Sequence, residues 1–215
     1  MPTLVLASAS PARRATLARA GLDVHVQVSR VDEEAAVAGA GVGEPQDVAL
    51  LLARAKAEDV AGRSSELDLP GDAVVLGCDS VLDLDGEPLG KPRDAADAAD
   101  RWRRMRGRSG VLLTGHWLVD TRDPLTGGTG GTGGTLGAVA ATTVHFADVT
   151  DAEIDAYVAT GEPLAVAGAF TVDGLGGAFV RGIEGDHHNV VGVSLPLLRE
   201  LLAEVGVAWT ALWKG

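Results

Sequence analysis

The sequence predicts an α/β protein with a mixed sheet, and three observations carry that expectation. Apolar, strand-like runs recur along the chain, from TLVLA at 3–7 to VVLGCDSVLDL and LGAVAATTVHF. Helix-start signals recur with them: Ser10-Pro11, a capping box at Thr150 to Glu153, and Ser194 before a leucine-rich run. The two kinds of segment are interleaved rather than grouped, and no whole-domain repeat is evident.

In chain order, the strand at 3–7 is followed by a helix with Ser10 as N-cap and Pro11 at its first position, stopping at Gly21. Leu22 to Ser29 alternates apolar and polar residues and reads as a half-buried strand, ending at the acidic turn VDEE and a Gly-rich loop. Pro45 to about Ala61 is a helix whose stripe of Val48, Leu51, Leu52 and Ala55 leaves Lys56 at the edge of the buried face. A buried strand through Asp79 then enters a hairpin around Asp85-Gly86. Asp94 caps a helix through Trp102 and Met105, and Val111–Thr121 and Leu136–Phe146 are strands. The Gly/Thr-rich tract between them, at about 122–136, reads as a flexible connection, because it lacks the Lys-Ser/Thr ending of a phosphate loop. After the helix that starts at Thr150, GGAFVRGIEG and NVVGV read as short strands, and a last helix runs to Gly206.

Composition narrows the function. A formal net charge of -12 disfavours a nucleic-acid-coating role, so any phosphate site is local. A single cysteine, Cys78, excludes an intramolecular disulfide and a cysteine metal cluster, which fits a reduced, cytoplasmic setting. No run is long and apolar enough to span a bilayer, so no membrane partner is expected. Against fifteen arginines there are only three lysines, Lys56, Lys91 and Lys214.

Three stretches could carry chemistry. ASASPARR joins hydroxyls, free N–H groups at a helix start and the guanidinium groups of Arg13 and Arg14, the parts of an anion site; plain capping by Ser10 with solvated arginines is the alternative. Asp32, Glu33 and Glu34 are either solvated loop surface or carboxylates for a hard divalent cation beside phosphates. Asp79 ends an apolar run, where a carboxylate is either a strand-end residue or a rigid, partly desolvated base or metal ligand. His187 and His188 read as surface residues, since adjacent side chains diverge on a strand.

Taken together, LASASPARRATLARAGL, VDEE, LLARAKA, VLGCDSVLDLDGEPLGKP and the stretch from TGEPLAVAGAF to GDHHNVVGVSLPLLRELL resemble the Maf family over nearly the whole chain. The resemblance implies one domain of two lobes around a substrate cleft, with a bent sheet flanked by helices. It also implies hydrolysis of nucleoside triphosphates to the monophosphate and pyrophosphate, with Mg²⁺ or Mn²⁺, by a cytoplasmic homodimer. By the same resemblance Asp79 is the general base and a metal residue, Glu33 a metal residue, and Ser10, Arg13, Lys56 and Lys91 bind substrate phosphates. Val166 and Asp173 stand where the family commonly has Lys and Gln. A nucleotide-binding regulator of cell division without turnover is the alternative, against which the presence of both Asp79 and Glu33 argues.

Overall fold

A computed structural model describes residues 2–122 and 133–213; most of the Gly/Thr-rich tract lies outside the described residues. Seven strands form one mixed sheet: β1 (Thr3–Leu6), β2 (Val24–Val26), β3 (Ala73–Leu84), β4 (Glu87–Leu89), β5 (Ser109–Asp120), β6 (Thr135–Phe146) and β7 (Val180–Glu184). Their order is β2-β1-β3-β5-β6-β7, with β4 beside β3. The helices are α1 (Pro11–Arg19), α2 (Glu33–Ala40), α3 (Pro45–Gly62), α4 (Ala95–Met105), α5 (Asp151–Ala159), α6 (His187–Val191) and α7 (Leu195–Glu204).

Strand β3 organises the molecule. Along one edge it pairs antiparallel with β5 from Val74 to Asp83 without a break. Along the other it pairs with β1 at 73–76, in parallel, and with β4 at 82–84, antiparallel. Among the described residues, 77–81 therefore have no strand neighbour on that edge, and a cleft lined by Asp79, Ser80 and Val81 opens there. The hairpin into β4 turns through Asp85 and Gly86, both with positive φ, and the Asp83 carboxylate accepts from the Gly86 N–H at 2.7 Å.

Side-chain alternation sends the strand residues to two faces. Leu4, Leu6, Val74 and Leu76 pack with Leu17 of α1 and Leu198, Leu201 and Leu202 of α7. Val5, Val75 and Ala73 face the other way, onto Ala57 and Val60 of α3. Farther along β3, Leu82 and Leu84 join the aromatic cluster of α4 and α5, in which Trp102 meets Phe146, Tyr157 and Phe179 edge to face at 5.6–5.8 Å. Each such pair adds about 1 kcal/mol beyond its burial. Two apolar clusters thus sit at opposite ends of β3, and Asp79, Ser80 and Val81 lie between them.

Helix α3 lies against the sheet at main-chain distance. A Cβ on Gly77 would stand 2.1 Å from Ala53 O, and one on Gly115 would stand 2.3 Å from Ala49 O. Ala49, Ala53 and Ala57 consequently face the sheet, and the buried side of the helix includes Lys56. The stripe expected through Leu51 and Ala55 is rotated: both are only half-buried, while Lys56 is inside the face rather than at its edge.

Further sequence expectations are corrected: Asp79 does not end its strand but stands in the middle of β3, which continues to Leu84. VDEE is not a turn before a loop: the Asp32 carboxylate caps α2, accepting from the Ala35 N–H at 3.0 Å, and Gly41 ends the helix at φ 64°. NVVGV is not a strand, because Asp186 caps α6 through the His188 N–H and Gly192 closes it. The strand expected over Leu22–Ser29 shortens to three residues, matching the Leu4–Leu6 segment of β1 on which it pairs.

Candidate active site

Ser10, Arg13, Glu33, Lys56, Asp79 and Lys91 all line one cavity of about 990 Å³ at the interruption along β3. They come from five separate places in the chain, and each is positioned by a different local device.

Ser10 is the N-cap of α1, and its Oγ accepts from the Arg13 N–H at 3.4 Å. The Arg13 side chain is buried, whereas Arg14 is exposed. Arg13 donates from Nε to Gly192 O at 2.7 Å, from Nη1 to Ser8 Oγ at 3.1 Å and from Nη2 to Ser80 Oγ at 3.0 Å. Three of its five N–H groups are thereby committed to the protein, which fixes the plane of the guanidinium before any ligand arrives. Gly192 is required at this contact: its φ is 121°, and a Cβ would lie 3.2 Å from Arg13 Nε.

Lys56 and Asp79 face each other between α3 and β3. Lys56 Nζ donates to Asp79 Oδ1 at 2.5 Å and sits 2.8 Å from Glu33 Oε1. One ammonium thus bridges two carboxylates, one buried and one half-exposed. Burial pushes the Asp79 carboxyl above its ordinary value, opposed by the charges of Lys56 and Arg13. At Glu33 desolvation pushes upward too, but the hydrogen bond and charge of Lys56, with Lys91 and Arg13 behind it, hold this carboxyl below the ordinary value. The two acids that share one lysine are thus shifted in opposite directions.

Lys91 is exposed at the cavity wall and its loop is anchored from below. Gly90 O accepts from Arg101 Nη1 at 2.6 Å and from the Gly168 N–H at 3.1 Å, while Arg101 pairs with Asp97 at 2.8 Å. Opposite, Val166 and Asp173 line the same cavity. Their segment is tied down by Trp102 Nε1, which donates to Ala169 O at 2.7 Å. Glu162 accepts from the hydroxyls of Tyr157 and Thr171 and from the N–H groups of Leu175 and Gly176. Glu162 was not singled out in the sequence, because the groups it organises lie up to 14 residues downstream. Of the cradle of Arg13, the sequence marks Ser8, one of the hydroxyls of ASASPARR, but not Ser80 or Gly192; adjacency to Asp79 is the available signal for Ser80.

His187 and His188 do not diverge as expected on a strand. On the first turn of α6 their rings lie 3.8 Å apart, and His188 Nδ1 is 3.1 Å from Asp186 Oδ1. Cys78 is fully buried and its thiol is pushed up to about 12 by burial, which makes it inert as a nucleophile.

Buried cations, a capped helix start and a strand-borne acid meet in one cleft, a lining whose donors have the chemistry to take a polyanion. The chain belongs to the Maf-like protein family, whose model matches residues 3–205. It is 55% identical over 210 residues to a nucleoside triphosphate pyrophosphatase of Salinispora tropica, an alignment covering 98% of this chain and 87% of that one. A protein of the same name from Streptomyces coelicolor is 54% identical, with 98% and 94% of the two chains covered. Another from Nocardia farcinica is 52% identical, with 99% and 97% covered.

Proposed function

We propose that this cleft hydrolyses nucleoside triphosphates to the nucleoside monophosphate and pyrophosphate. The observation that carries the reading is the bridge of Lys56 between Glu33 and Asp79 inside a cavity that Arg13 and Lys91 also line. Arg13, fixed by its three protein acceptors, and Lys91, on its anchored loop, take the phosphate oxygens together with the N–H groups at the start of α1. Lys56 orients Asp79, and its charge opposes the upward push of burial on that carboxyl. Asp79 accepts the proton of the attacking water as the anhydride bond opens, and pyrophosphate leaves.

The donor set fits a divalent cation, Mg²⁺ or Mn²⁺, because carboxylate oxygens beside substrate phosphates are what such ions take. Glu33 and Asp79 would hold it. When bound, the ion supplies neutralisation of charge on the phosphates and a fixed orientation for the leaving group. The homodimer and cytoplasmic setting implied by the resemblance go with this reading.

The test is pyrophosphate release by the purified protein with Mg²⁺ or Mn²⁺ and a panel of canonical and modified nucleoside triphosphates. Sustained release matched by nucleoside monophosphate supports it. Orthophosphate in place of pyrophosphate, or binding without turnover across the panel, overturns it; binding without turnover would favour a nucleotide-sensing protein.

A further inference from the structure

Arg13 is held from outside the cleft, through two residues of β5. The first route runs through Gly192, whose carbonyl accepts from Arg13 Nε. Two residues on, the Ser194 N–H donates to His116 Nε2 at 2.8 Å. A backbone N–H can only donate, so Nε2 is unprotonated and the ring hydrogen sits on Nδ1, which donates to Thr114 O at 3.0 Å. His116 therefore fixes the Gly192–Ser194 link with one defined tautomer.

The second route runs through Ser80, which accepts from Arg13 Nη2. Thr114 Oγ1 donates to Asn189 O at 3.2 Å and lies 2.9 Å from Ser80 Oγ. A hydroxyl has a single hydrogen, so with Thr114 donating to Asn189 it is Ser80 that donates to Thr114. That direction leaves the lone pairs of Ser80 for Arg13. The sequence of donors is Arg13 to Ser80, Ser80 to Thr114, and Thr114 to the carbonyl of Asn189, each polarising the next.

Thr114 and His116 are both fully buried, stand two apart on one face of β5, and do not line the cavity. We propose that Thr114 and His116 are positioning residues that hold Arg13 in its phosphate-binding geometry through Ser80 and Gly192. The need is physical: an arginine side chain at a helix N-terminus faces the positive end of the macrodipole and has many rotamers to lose on binding. The inference rests on the assignment of Arg13 to substrate phosphates made above.

A double-mutant cycle tests it, read both as kcat/KM for pyrophosphate release and as affinity for inorganic pyrophosphate by calorimetry. Thr114→Val and His116→Leu are each made alone and combined with Arg13→Ala. Each single change lowers both quantities about tenfold, the scale on which outer partners act upon a held ligand. In the Arg13→Ala background each lowers them by less than about twofold, because residues acting through one group do not add. Thr114→Ser, which keeps the hydroxyl, stays near the wild type. Equal losses in both backgrounds overturn the inference, as does unchanged pyrophosphate affinity in folded Thr114→Val. Should His116→Leu fail to fold, the Thr114→Val and Thr114→Ser pair decides alone. If the wild type shows no turnover while the affinity cycle remains coupled, the positioning inference stands and the proposed activity falls.

Discussion

Lys56 Nζ lies 2.5 Å from Asp79 Oδ1, with both side chains nearly enclosed between α3 and β3. A carboxylate in such a place needs a cation beside it to stay charged, and a lysine needs an acid. Each residue of the pair is therefore a condition for the other, and substitutions at the two positions have distinct outcomes.

Asp79→Asn keeps the shape of the strand residue but removes the proton acceptor and the negative charge. Turnover falls on the order of 10² to 10⁴, the range for loss of a general base. Nucleotide affinity persists, since Arg13, Lys56 and Lys91 remain. Pyrophosphate release and nucleotide binding, measured on one folded preparation, check this; near-normal turnover would remove Asp79 from the role of base.

Lys56→Ala and Lys91→Ala separate burial from exposure. Both lower kcat/KM, but only Lys56→Ala leaves a buried carboxylate without its partner, a loss of about 3 kcal/mol in stability. Lys91→Ala stays within about 0.5 kcal/mol, as an exposed substitution does. Arginine at position 56 rescues incompletely, because the larger, planar guanidinium does not match the space and donor geometry that a compact ammonium fills between α3 and β3. Denaturant unfolding beside steady-state kinetics distinguishes the two lysines.

Gly77→Ala or Gly115→Ala forces α3 off the sheet, since the added Cβ would meet main-chain oxygens at 2.1 and 2.3 Å. Overpacking of this kind costs on the order of 3 kcal/mol, and the lifted helix carries Lys56 away from Asp79, so turnover falls with stability. Gly71→Ala is the control: no atom lies within 4 Å of its Cβ position, and its melting temperature stays near that of the wild type.

Burial lowers the His116 pKa from 6.5 to about 4, a shift reinforced by the charge of Arg13 and opposed by its bond to Thr114 O and by Asp186. The folded pKa lies below the unfolded one, so the unfolded chain binds the extra proton. The contribution of neutral His116 is complete above pH 6.5 and is lost as pH falls toward 4, amounting to about 3 kcal/mol. His116→Gln flattens that slope in unfolding free energies measured across the window. A slope identical to that of the wild type would show that other groups produce it; Glu162, whose pKa is lowered, acts further to the acid side.

Most of the fold was legible because its signals are local. Ser10, Asp94, Thr150 and Ser194 announce their helices through caps that the structure contains. Helix α2 was missed because its acidic first turn suggested chemistry and Gly39 and Gly41 suggested a loop, although Asp32 and Gly41 are also the two ends of a helix. Helix α6 was missed because Val190 and Val191 favour strands and the segment is too short to show a period. The six candidate residues converge on one cavity, but their supports were invisible in sequence. His116 reaches Ser194 across 78 positions, and Arg13 reaches Gly192 across 179. Nothing local marks either pair.

The close seating of α3 also bears on how far sequences with this architecture can drift. The height of the helix above β3 and β5 is set where Gly77 and Gly115 meet the carbonyls of Ala53 and Ala49, by backbone thickness rather than by the fit of bulky side chains. Leucines and valines elsewhere in the interior can be exchanged, and the surrounding packing can resettle, while the Lys56 and Asp79 groups stay where main-chain contact puts them. Evolutionary freedom in the core and constancy at the Lys56–Asp79 pair are compatible because different atoms enforce them.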